Sequence, residues 1–331
     1  MFYGATSFNQ PLNSWDVRNV IDMNSMFFDA TSFNQPLNNW DVRNVIIMTS
    51  MFYGATSFNQ PLNSWDVSKV ENMNGMFFTA NSFNQPLNNW DVSKVENMAG
   101  MFFGATIFNQ PLNNWDVSKV KNMSSMFFGA TIFNQPLNSW DVSSVTKMNN
   151  MFANATSFNQ PLNNWDVGSV TEFWYMFNNA TSFNQPLNNW DVRSVGLIID
   201  FSIYGSMNSM FKNASSFNQP LNNWNLKNDI DCTDMLNYCG MSQYNYQNTL
   251  IGWYMNSKDE PSKKPKRIGA KGMIYNKYNK WGVSNNTSGN GSISTTTSWI
   301  LHLDVPDKNI MRAARNYFNN VIVGDMEVNF E

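Results

Sequence analysis

Apolar and polar positions recur along this chain with a fixed step. Phe-Asn-Gln-Pro-Leu-Asn starts at Phe8, Phe33, Phe58, Phe83, Phe108, Phe133, Phe158, Phe183 and Phe217, a step of 25 residues that lengthens to 34 only at the last copy. The Trp behind each copy keeps the same step, from Trp15 through Trp40, Trp65 and Trp90 to Trp190 and then Trp224. Within a unit the period changes. Met23, Met26, Phe27 and Ala30 fall at i, i+3, i+4 and i+7, one face of a short helix or 3₁₀ segment. Gly54, Gly104, Gly129, Asn154 and Asn179 stand at the equivalents of position 29, and such residues tolerate the left-handed conformation that closes a helix. Trp40 and Val42 alternate with Asn39 and Asp41, as in a short strand with one buried face. Pro36 belongs at the entrance to that strand, because it cannot donate to a ladder.

One unit therefore reads as short helix, loop, short strand, loop, and it is too small to bury its apolar face alone. Stacking solves that, and a period in the twenties is that of leucine-rich repeats. The expected fold class is an α/β solenoid, a leucine-rich-repeat-like stack of about nine turns with a parallel sheet, about 43 Å long at about 4.8 Å per strand. Trp15, Trp40, Trp65, Trp90, Met23, Met26, Phe27, Phe33 and Leu37 form its expected structural core. Asn39, Asp41, Ser64, Asp66, Asn89 and Asp91 form its candidate exposed strand face. Invariant amides at Asn9, Gln10, Asn13 and their equivalents suit side-chain ladders, since each can donate to one neighbour and accept from the next.

The run Met-Phe-x-x-Ala-x-x-Phe-Asn-Gln-Pro-Leu-Asn-x-Trp-Asp-Val-x-x-Val-x-x-Met resembles the BspA-type bacterial surface protein repeat, found in mycoplasma lipoproteins and in bacterial and protist surface proteins. The likeness covers residues 1 to about 240. Cys239-Gly-Met-Ser-Gln-Tyr-Asn-Tyr-Gln-Asn-Thr-Leu-Ile-Gly-Trp253 and Ile268-Gly-Ala-Lys-Gly-Met-Ile-Tyr275 resemble the C-terminal module of that family, as do Ala313-Ala-Arg-Asn-Tyr317 and Gly324-Asp325 more weakly. The resemblance implies a leucine-rich-repeat-like stack with a terminal cap, a surface or particle-associated location, and no catalytic residues.

The repeats are expected to occupy residues 1–240, interrupted by an apolar insertion at 196–204. Residues 241–331 read as a small α+β capping module. Its parts are a helix over 242–256 with Ser242 as N-cap, polar loops at 258–267 and 284–298, a second helix from near Pro306 to near Asn320, and a strand at Val321–Val323. Cys232, Met235, Leu236 and Cys239 follow Trp224 at the offsets at which Met23, Met26, Phe27 and Ala30 follow Trp15, so both cysteines fall on core positions. Two small buried hydrophobes are the simplest reading, with a disulfide or a metal site as alternatives. The chain starts inside a repeat at Met1 without a leader peptide, so an uncapped first turn is expected to pair with another chain or with preceding sequence.

Composition narrows function by exclusion. Of the 331 residues 42% are hydrophobic and 14% charged, against roughly 25% charged in ordinary domains. A formal charge of −3 does not suit a nucleic-acid binder, and no apolar run is long enough to span a membrane. Charge is uneven: residues 1–240 hold 10 Lys and Arg against 17 Asp and Glu, net −7, and residues 241–331 net +4. The single His302 lies near Ser298 and Asp304 without triad spacing, and no nucleotide fingerprint occurs. Asp16, Asp41, Asp66, Asp91, Asp116, Asp141, Asp166 and Asp191 form a column that needs compensation, by backbone N–H groups two residues on or, alternatively, by calcium. Threonines from Thr6 to Thr181 give a further column, similar in kind to ice-binding faces but broken at Asn81.

The expected protein is a non-catalytic repeat scaffold without cofactors or metals. It would act as a surface or adhesion-type protein binding protein or glycan partners. The alternative is a structural subunit that self-assembles end to end or coats a filament or particle, through its first turn and its opposed charges.

Overall fold

Residues 23–30 show why the chain coils. The structure, a computed structural model, describes residues 1–196, 207–226, 230–257, 267–268, 297–300 and 326–329. Ser25 and Asp29 have φ of 54° and 53°, left-handed values that interrupt an α-helix before it completes its second turn. The N–H groups of Met26, Phe28 and Ala30 donate back to the carbonyls of Met23, Ser25 and Phe27 at 3.1–3.3 Å. Those of Met23, Ser25, Phe27 and Asp29 turn outward and donate to Ile47, Thr49, Met51 and Tyr53 of the next unit at 2.7–2.9 Å. The helix expected over Met23–Ala30 is therefore a run of turns whose alternate donors bond the neighbouring unit. The same alternation recurs at Met48, Met73, Met98 and Met123.

No strand forms at Trp40 and Val42. Parallel pairing falls instead on Asp22, Ile47, Asn72, Asn97, Asn122, Lys147 and Glu172, one residue per unit. On the Trp40 side the units are joined by side chains. Asn34 N–H donates to Asn9 Oδ1 at 2.9 Å, Gln60 Nε2 to Asn34 Oδ1 at 3.0 Å, and Trp40 Nε1 to the Leu12 carbonyl at 2.9 Å. The prevailing bond polarity of the two sides is opposite: the outward donors at positions 23–29 point to the following unit, and most donors of the loop side point to the preceding one.

Between the two sides lies one continuous core. Phe27, Phe33 and Leu37 and their equivalents in the units that follow are fully buried, with Trp40, Trp65 and Trp90 at 3% exposure. Rings repeat from unit to unit: Phe52–Phe77 centroids are 5.6 Å apart and Trp90–Trp115 6.5 Å, with planes within 5°. Each such ring contributes about 2–3 kcal/mol by leaving water.

Beyond Trp224 the pattern is carried on by different means. Strand β1 (Asp231–Cys232) pairs in parallel with β2 (Arg267–Ile268), extending the line of bridges. Helix α1 (Gln243–Ser257) lies against the last coil, capped by Ser242 Oγ, which accepts the Asn245 N–H at 3.3 Å. A Cβ at Gly252 would stand 2.2 Å from the Asn222 carbonyl oxygen, so the helix backbone rests directly on the coil. Strands β3 (Thr297–Ile300) and β4 (Met326–Asn329) pair in parallel. Arg267 and Thr297–Ser298, expected in loops, are thus in strands. The insertion from 197, the remainder of both loops, the second helix, Val321–Val323 and His302 lie outside the described residues.

Candidate functional site

Of the expected core residues, Met23, Phe27, Phe33, Leu37, Trp40, Trp65 and Trp90 are buried. Trp15 is 39% exposed and Met26 only half-buried, unlike Trp40 and Met51, their buried equivalents in the next unit. Asn39, Ser64, Asp66, Asn89 and Asp91 face solvent, and Asp41 is half-buried.

The Asp column is held by its own backbone. Oδ1 of Asp66, Asp91, Asp141 and Asp166 accepts the N–H two residues on at 3.0–3.1 Å. Ser68 and Ser143 add hydroxyl donors at 2.6 Å and hold Asp66 and Asp141 below the usual carboxylate range. Arg18 grips Asp16 through Nε at 2.8 Å and Nη2 at 2.7 Å, which brings that carboxyl down to about 2. Arg43 acts likewise on Asp41. One oxygen of each of these carboxylates is committed to its own turn, and among the described residues no group of acidic, His or Cys side chains is arranged to hold a metal.

Other polar columns are also spent inside the stack. Thr31, Thr131 and Thr156 donate through Oγ1 to Thr6, Thr106 and Thr131 carbonyls at 3.2–3.3 Å, which ties down the threonine face. Cys232 and Cys239 are buried free thiols. Burial pushes Cys239 up to about 11 and Cys232 higher still, so neither supplies a thiolate nucleophile.

Two surface features escaped the sequence reading. Tyr3, Phe28, Tyr53, Phe78, Phe103 and Phe128 stack outside the core at 4.1–4.5 Å with planes within 7°, forming a rib whose ring faces cover one another. After Ala153 this column turns polar, with Asn178, Lys212 and Asn237. There Lys212 Nζ meets Asp234 Oδ2 at 2.7 Å, and Asn237 Nδ2 donates to Asp234 Oδ1 at 2.7 Å. Asp234 holds Lys212 protonated, with the hydroxyls of Tyr175 and Tyr238 close enough to contribute. Tyr175 and Tyr238 replace the Ser, Gly or Asn of most other units, and Trp174 sets its ring at 89° to Tyr175, 6.0 Å away. Departure from column identity was the sequence signal that could have found these residues.

The family model described as Mycoplasma protein of unknown function, DUF285, matches residues 1–85, 60–146, 110–202 and 138–253, which together span 1–253. Comparison with curated proteins and with solved structures gives no match.

Proposed function

The chain belongs to the Mycoplasma family DUF285, and from that premise we propose that it is a non-catalytic, leucine-rich-repeat-like solenoid of the BspA type that binds protein or glycan partners at a surface. One observation carries the reading. Among the described residues the Asn, Gln and Thr columns are engaged in holding one unit to the next and the Asp column in closing its own turns, while the outer side chains of the same units repeat in continuous rows. Extended faces of this kind suit recognition of large partners rather than turnover of small ones. Asn39, Ser64, Asp66, Asn89 and Asp91 contribute solvent-facing amide, hydroxyl and carboxylate groups to one of them.

End-to-end assembly through the loop-side ladder is less favoured at the C-terminal side. The Leu221 carbonyl already accepts Trp253 Nε1 at 2.8 Å, and Asn218 Oδ1 accepts the Ser242 N–H at 2.7 Å, so α1 uses the acceptors a further copy would need. The test is to probe the purified full chain on protein and glycan arrays while following its mass by light scattering across concentration. Concentration-independent mass with selective array binding is the expected result. Growing mass with blank arrays would replace this reading by the structural one.

A further inference from the structure

In a strict repeat, each unit is a control for the others. The identities seen in most units already satisfy packing and hydrogen bonding, so clustered departures need another reason. Positions equivalent to 25 take left-handed φ and carry Ser25, Ser50, Gly75, Gly100, Ser125 and Asn150, all small. Tyr175 sits there with φ 58°. Positions equivalent to 29 carry Gly, Asn, Asp or Thr until Tyr238, also at φ 58°. Bulky residues are disfavoured in this region of backbone space, and such strain gathers where function demands it.

The stacking brings the two tyrosines to one ion pair. Tyr175 shares its column with Ser209 and Asp234, as the bonds from Tyr175 N–H to the Asn208 carbonyl and from Ser209 N–H to the Thr233 carbonyl show, and Tyr238 follows Asp234 by four residues. Asp234 pairs with Lys212, which stands in the polar continuation of the aromatic column, and Tyr238 is 51% exposed. The patch combines two tyrosines, an ion pair of zero net charge, and the amide of Asn237 that donates to Asp234. Compensated charge gives no purchase to a phosphate or an acidic peptide. Aromatic rings beside paired donors and acceptors suit a ligand with apolar C–H faces and many hydroxyls.

We propose that Tyr175, Tyr238, Lys212 and Asp234 form a binding site for an uncharged saccharide. This deepens the scaffold reading above and rests on it. The first measurement uses the full chain on an array of neutral and sialylated oligosaccharides, beside a protein array, followed by calorimetry with the best neutral oligosaccharide. Tyr175→Ser and Tyr238→Asn restore residues that other units use at these positions. Each is expected to weaken binding about tenfold while Tm holds or rises, because strain is relieved. Lys212→Met, which keeps the aliphatic stem, should weaken binding likewise. Unchanged affinity in the tyrosine variants would overturn the site, as would binding of sialylated glycans alone. A lower Tm in both would also overturn it, by making the tyrosines packing residues. Hits on the protein array without glycan hits would sink this site and leave the scaffold reading standing; blank arrays of both kinds would sink both.

Discussion

An interior coil and helix α1 present the same hydrogen-bond donors to the coil beneath them from unlike backbones. In the coil, Trp115 Nε1 donates to the Leu87 carbonyl at 3.0 Å; in the helix, Trp253 Nε1 donates to the Leu221 carbonyl at 2.8 Å. Asn109 Oδ1 accepts the Asn134 N–H at 3.0 Å and Gln135 Nε2 at 3.1 Å. Asn218 Oδ1 accepts the Ser242 N–H at 2.7 Å and Asn245 Nδ2 at 2.9 Å in the same way. What a coil recognises on its loop side is therefore a set of donors at fixed places, not a backbone conformation. The difference lies in what is passed on. A coil offers a fresh row of acceptors to its successor, whereas α1 satisfies its own backbone internally and ends that ladder.

Trp115→Ala tests this most severely, with an expected loss of about 3–5 kcal/mol in denaturant unfolding, since it opens a cavity between two neighbouring indoles. Trp253→Ala removes an equivalent donor, yet should expose to hydrogen exchange only α1 and the last coil. Equal loss of protection along the whole stack would show that the cap and the coils unfold as one. Asn109→Ala leaves the Asn134 N–H without an acceptor, while Gln135 Nε2 keeps the residue 109 carbonyl, and should cost about 2 kcal/mol. Asn218→Ala should instead loosen α1, read as faster exchange of its amides. Gly252→Ala forces a methyl against the Asn222 backbone and should cost about 2 kcal/mol by pushing the helix off, leaving the coil spectrum unchanged.

The smallest effect expected is on pH dependence. Asp16, Asp41, Asp66 and Asp141 have lowered pKa values in the folded chain, so their stabilisation is complete above the ordinary carboxylate value of 3.8. It is lost as pH falls toward the folded value, about 2 for Asp16. Thermal melts between pH 5 and pH 2 should show Tm falling through that window. Ser143→Ala should make the fall smaller, because it returns Asp141 toward its ordinary value and narrows the window from below. A flat profile would mean that the Asp column contributes nothing to holding the coils.

The burial pattern could be read directly, because Phe33, Leu37 and Trp40 repeat with too strict a step to serve anything but a shared interior. Secondary structure was harder. Spacing at Met23, Met26, Phe27 and Ala30 fits a helical face, but left-handed residues at positions 25 and 29 redirect every second amide; Gly and Asn at the equivalents of 29 announce that conformation, whereas Ser25 does not. Alternation at Trp40 and Val42 fits a strand, yet the links there pass through Asn, Gln and Trp side chains, which periodicity does not register. The candidate saccharide patch was hidden for a related reason. Tyr175 and Lys212 are 37 positions apart in sequence and fall on adjoining coils, joined where Tyr175 N–H donates to the Asn208 carbonyl.

The opposed directions of the hydrogen bonds on the two sides of each coil bear on how long such a protein can grow. A unit added inside the stack therefore meets matching donors and acceptors on both of its faces. Whole units of 25 residues can be gained or lost with every bond between neighbours re-formed, whereas a partial unit would strand polar groups on both sides.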